Sequence, residues 1–122
     1  MRIAPLLLIV AAGCSGGQTP AAPDASAPAD TWMSWAKGFT MTYCAASCHA
    51  PGGIASREGV LDFTMYSKVY DNRVEIRCGV SAVALSDCAA FPAPKQFPCS
   101  APYPTDADRM RLVAWIDAGA PQ

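Results

Sequence analysis

Histidine occurs once in these 122 residues, at His49, and charged residues make up only 16% of the chain. A single imidazole excludes any Ser–His–Asp or Cys–His catalysis that does not run through His49, and any zinc site with two or more histidines. The formal net charge is −1, the pI is near 5.6, and there is no run of like charge. That balance excludes the basic face that nucleic-acid binding needs to displace counterions from phosphates. No apolar run is long enough to cross a bilayer as a helix. There is no internal repeat, and no segment reads as a β-strand. Hydrophobic residues reach 52%, but many of them are alanine, which buries little surface. The length therefore suits one domain with a modest core and leaves no room for a second.

Cysteine and proline are what the chain does have, with six and 11 respectively. The first cysteine follows an export signal. Met1 and Arg2 precede a short apolar run that stops at Ala12-Gly13, which fits a signal peptide over 1–13. The stretch Val10-Ala11-Ala12-Gly13-Cys14-Ser15 resembles the lipobox of bacterial lipoproteins. That resemblance implies cleavage before Cys14, acylation of Cys14, and a membrane contact made by lipid chains. Residues 14–30 are small, polar and proline-punctuated, and read as a flexible tether. The expected location is the bacterial cell envelope, an oxidising place where cysteines tend to be bonded.

The folded domain is expected over 31–122 and mostly α. Asp30-Thr31 supplies an N-cap for a helix over roughly 32–43 that carries Trp32, Met33, Trp35, Phe39 and Tyr43. Pro51-Gly52-Gly53 forces a turn, and the chain to Gly59 reads as loop. Thr64 is the expected cap of a second helix over roughly 65–78, with Tyr66, Val69, Tyr70, Val74 and Arg77 near the helical period and Gly79 closing it. Five prolines between Gly79 and Pro104 predict a long irregular loop, which needs a task or a covalent brace. Thr105 through Asp108 then opens a third helix to about Asp117, with Leu112, Trp115 and Ile116 facing the core and Gly119 and Pro121 ending it.

Cys44-Ala45-Ala46-Ser47-Cys48-His49 has the form C-x-x-x-C-H, one residue longer than the signature of covalent haem attachment. In that chemistry two thiols add across the haem vinyl groups and the adjacent imidazole ligates the iron. Phe39 and Tyr43 before the motif, Pro51-Gly52-Gly53 after it, and the terminal run from Leu112 to Pro121 extend the match. On these residues the chain resembles bacterial monohaem c-type cytochromes, especially small lipoprotein or secreted domains. The resemblance covers 31–122, with a poor match in the middle. It implies a cytochrome c-like three-helix domain whose first and last helices cross and close over a covalent haem c. Cys44 and Cys48 would be the thioether attachments and His49 the proximal ligand. The implied function is electron transfer to a redox protein met transiently, with no turnover of a small-molecule substrate. Arg73 and Arg77, one helical turn apart, would either pair with haem propionates or form a solvated helix face.

The family usually places a methionine before proline ahead of the last helix, but this chain has Phe91-Pro92 there. Met65 and Met110 are alternatives for the sixth ligand, though both fall on expected helices where core packing is the commoner role. Lys95 is a third candidate. An open iron would instead suit a five-coordinate haem sensor. A rival from another class is a haem-free lipoprotein interaction module braced by disulfides, in which Cys44 and Cys48 belong to the brace. A redox dithiol lacks its C-x-x-C spacing here, and zinc held by Cys44, Cys48 and His49 would lack a fourth ligand. Haem attachment leaves Cys78, Cys88 and Cys99, from which one loop-bracing disulfide is expected. Cys78–Cys88 is the first choice and Cys88–Cys99 the second.

Overall fold

Residues 29–46, 48–55 and 61–122 are described by a computed structural model. The signal peptide over 1–13, acylation at Cys14 and nearly all of the tether over 14–30 lie outside the described residues. So do Ser47 and the loop positions 56–60.

Thr31 starts the first helix. Its Oγ1 accepts from Ser34 N at 3.1 Å while Ser34 Oγ accepts from Thr31 N at 2.9 Å, so two orphan donors are satisfied reciprocally. The helix, α1, runs over 32–45 as a π-helical Trp32–Ala36, an α-helical Lys37–Thr40 and a π-helical Met41–Ala45. It is longer than the expected 32–43 because the wide turns at its C-terminal end carry it into the cysteine motif.

The middle of the chain corrects the sequence reading in three places. The expected single helix over 65–78 is two, α2 (Tyr66–Asp71) and α3 (Arg73–Val80), broken at Asn72. The Asn72 side-chain amide donates to Lys68 O at 2.8 Å, where it competes with the helix's own backbone ladder. The break resets the phase of the apolar face. Ile76 and Val80 are buried, while Val74 is exposed. Thr64 does not cap α2, because Asp62 Oδ1 accepts both its N–H (3.0 Å) and its hydroxyl (2.6 Å) and Met65 occupies the cap position. Gly79 does not close α3. It lies inside the helix with its Cα pressed against the Phe97 ring, and a Cβ there would collide with that ring.

The chain from 81 to 105 is irregular apart from a single 3₁₀ turn at Ser86–Cys88. Cys78 in α3 and Cys88 in that turn form a disulfide, and Arg77 beside it bridges Asp87 (3.0 Å) and Asp117 (2.6 Å). Thr105 caps α4 (Asp106–Asp117) by accepting from Asp108 N at 3.1 Å. Two acids in the first turn of α4 complement the positive end of its dipole. Among the described residues there is no strand, and no helix is long and apolar enough to cross a membrane.

One cluster unites the helices. Trp32, Ala36 and Phe39 from α1 meet Val69, Ile76 and Val80 from α2 and α3, and Leu112, Trp115 and Ile116 from α4. The termini are closed by Pro121, whose carbonyl accepts from Trp32 N (2.7 Å) and from Trp115 Nε1 (3.0 Å). Tyr66 Oη reaches the neighbouring Ala120 O at 2.8 Å. Asp30 and Arg111 add a two-pronged ion pair with both contacts at 2.7 Å. The Arg111 guanidinium also lies 4.4 Å over the Trp35 ring.

Candidate functional site

The motif sits where α1 gives way to a turn. His49 N donates to Cys44 O at 3.1 Å, five residues back, so one wide turn brings the ends of the motif together. Ala55 N donates to Cys48 O (3.0 Å) and Gly53 N to Ala50 O (2.8 Å), folding the following turn back onto the motif. Gly53 is required there. A Cβ at this position would collide with the Cys48 carbonyl, and Gly52 before it has φ +77°, which favours glycine.

His49 is fixed from both sides. Its carbonyl accepts from Phe63 N at 2.7 Å, and its ring stacks on Phe63 with centroids 4.4 Å apart and planes 20° from parallel. The residue is half-buried, yet its Nδ1 is fully enclosed and has no hydrogen-bond partner. Burial lowers the imidazole below its ordinary value, and a backbone hydrogen bond with Leu61 partly opposes that. The ring is therefore neutral near physiological pH, the form that can offer a lone pair to a metal.

A cavity of about 170 Å³ lies against the motif. Cys44, Cys48 and His49 line it together with apolar groups from two other parts of the chain: Leu61 and Phe63 after the turn, and Ile76 and Val80 of α3. Asn72 and Glu75 add polar groups beside α3, Thr42 and Tyr43 line it from α1, and the 97–102 segment, whose residues 99–102 are exposed, makes another part of the wall. The last helix contributes no lining residue, unlike the closing role that the cytochrome resemblance implies for it. α4 acts indirectly, through Arg109. That buried side chain donates from Nη1 to Val80 O (3.1 Å) and Phe97 O (2.5 Å), joining α3 to the loop wall.

Cys44, Cys48 and Cys99 are all free thiols. Cys44 is only half-buried as a residue, but its thiol is enclosed, and burial with the adjacent Cys48 pushes it up to about 12. A thiol held protonated in this way is a poor zinc ligand and a poor redox dithiol. Among the described residues no three His, Cys, Asp or Glu side chains come together to hold a metal ion. A haem would need only one protein ligand from this side, and an imidazole, two free thiols and a mostly apolar lining on one cavity form a donor set that fits it.

The other expected site residues lie elsewhere. Met65 is exposed, Met110 Sδ accepts from Ser81 Oγ at 3.7 Å, and Lys95 Nζ pairs with Asp106 at 2.8 Å; none lines the cavity. Phe91 is exposed and off the wall. Arg77 is held by its two aspartates, and Arg73 lies over the Tyr70 ring with Nη1 donating to Tyr70 O at 2.7 Å. Neither arginine lines the cavity. Cys99 does, a placement that its sequence context of prolines did not signal. No protein-family model matches the chain, and no curated protein or solved structure matches it either.

Proposed function

We propose that this domain carries a covalently attached haem c and transfers single electrons at the bacterial cell envelope, as a helical, cytochrome c-like domain. The observation that carries the reading is the shared cavity, on which two free thiols and a neutral imidazole meet an apolar lining. Bound haem would supply a one-electron iron couple. The chain's own residues do the rest. Cys44 and Cys48 anchor through thioether bonds, and His49 presents a ring whose tilt is set by Phe63 and by backbone bonds at its own N–H and C=O. Leu61, Phe63, Ile76 and Val80 give the inner part of the cavity an apolar wall, which is a usual lever on a redox centre.

In this reading Cys14 is acylated after the 1–13 signal is removed, and residues 14–30 tether the domain to the membrane. The partner is another redox protein met through a small, transient contact. The experiment is expression with export and a haem-attachment system, followed by acid–acetone extraction. A Soret band that stays with the protein is expected, and it should be lost in a Cys44→Ala, Cys48→Ala double variant. A colourless wild-type protein from that system overturns the reading in favour of a haem-free, braced lipoprotein module.

A further inference from the structure

None of the expected sixth ligands lines the cavity. Met65, Met110 and Lys95 all lie off its wall, each with a different occupation. Cys99 is on that wall and is a free thiol. It does not stand alone there, because the same cavity is lined by the free thiols of Cys44 and Cys48 and by the imidazole-bearing His49.

The chain just before Cys99 is anchored. Phe97 N donates to Gly79 O at 2.8 Å and Lys95 N to Ser81 O at 2.9 Å, which lays the loop along the end of α3. Phe97 packs on the bare Cα of Gly79, and Arg109 holds the Phe97 carbonyl. Cys99 follows two residues later, at the exposed rim. A thiolate is also the strongest ferric-haem donor among the side chains of the 97–102 wall.

We propose that Cys99 is the sixth ligand, so that the iron of this domain is held between His49 and a cysteine thiolate. The proposal rests on the haem reading above. On coordination the Cys99 thiol gives up its proton to solvent at the exposed rim, and no electron is transferred in that step. Thiolate ligation favours the ferric state, which would make this a low-potential carrier.

The test uses the full haem-loaded protein, with ferric electron paramagnetic resonance and absorption spectra of wild type, Cys99→Ser and Cys99→His. Wild type should give a low-spin thiolate spectrum and Cys99→Ser a high-spin one, while Cys99→His should return a low-spin spectrum without the thiolate signature. Alkylation mapped by mass spectrometry supplies a second readout. Cys99 should label readily in haem-free protein and at least about tenfold more slowly in the haem-loaded form. A red protein whose spectrum is unchanged by Cys99→Ser overturns the Cys99 assignment and leaves the haem reading intact. A red wild type that is already high-spin and binds carbon monoxide when reduced does the same and points to a sensor. A colourless wild type overturns both.

Discussion

Arg109 and Phe97 are joined by a hydrogen bond from Nη1 of the first to the carbonyl of the second, at 2.5 Å, with Val80 O accepting from the same nitrogen at 3.1 Å. Among the described residues no carboxylate lies within ion-pair distance of this buried arginine. Its charge is met by carbonyl dipoles at the C-terminal end of α3, where the helix dipole is negative. Replacing Arg109 with Met keeps the apolar stem but leaves those carbonyls unpaired. The expected loss is about 2–3 kcal/mol in urea unfolding. The Phe97 amide should also exchange faster with solvent, because the 97–102 wall loosens. Unchanged stability together with an unchanged Phe97 exchange rate would show that Arg109 does not hold this wall.

Gly79→Ala sets two effects of opposite sign against each other. Helix propensity alone predicts a gain of about 1 kcal/mol inside α3. The new Cβ would instead collide with the Phe97 ring, and overpacking of that kind costs about 1–3 kcal/mol. A net loss is expected, and a Phe97→Ala background should remove it in a double-mutant cycle. A Gly79→Ala variant more stable than wild type would mean that the ring moves aside freely.

The Cys78–Cys88 disulfide closes a short loop, with a sequence separation of 10. Loop-closure entropy puts its contribution at about 2–3 kcal/mol. A Cys78→Ala, Cys88→Ala variant should melt lower by roughly 8–24 °C, on the scale of a small domain. Wild type measured with reductant should fall by a similar amount. The variant tests more than the loop, since Cys78 is almost fully buried in the core.

His49 makes the haem-free domain sensitive to acid. Its folded-state value lies below the ordinary 6.5 because burial penalises the imidazolium. The unfolded chain therefore binds more protons between the two values. The contribution is fully present above about pH 6.5 and is lost as pH falls through the folded value. Melting temperatures of haem-free wild type should drop between about pH 7 and about pH 5 by more than those of His49→Gln. Parallel curves for the two proteins would remove His49 as the cause.

Sequence punctuation located α4 correctly because every signal there agrees. Thr105 caps, two acids follow, Leu112, Trp115 and Ile116 recur at helical spacing, and Gly119 at φ +92° ends the run. The second helix was misread because its cues are contested by neighbours. Asp62 takes the Thr64 groups that a cap would use, Asn72 competes with the backbone, and Gly79 serves packing rather than termination. The extension of α1 was invisible for a different reason, since a wide turn leaves no mark in a 3.6-residue pattern.

Which groups are scarce, and where they cluster, is legible in the chain alone. One imidazole follows a cysteine pair at the end of an aromatic helix, and those three groups are neighbours in the chain, so local backbone geometry is enough to hold them together. What shares the cavity with them comes from distant parts of the chain and depends on how the helices and the loop pack. Cys99 comes to the cavity because the loop is laid along α3, seated on Gly79 and held by a buried arginine from α4. Met65, at the cap of α2, is exposed, and Met110, on α4, is held against Ser81, so neither methionine reaches the cavity.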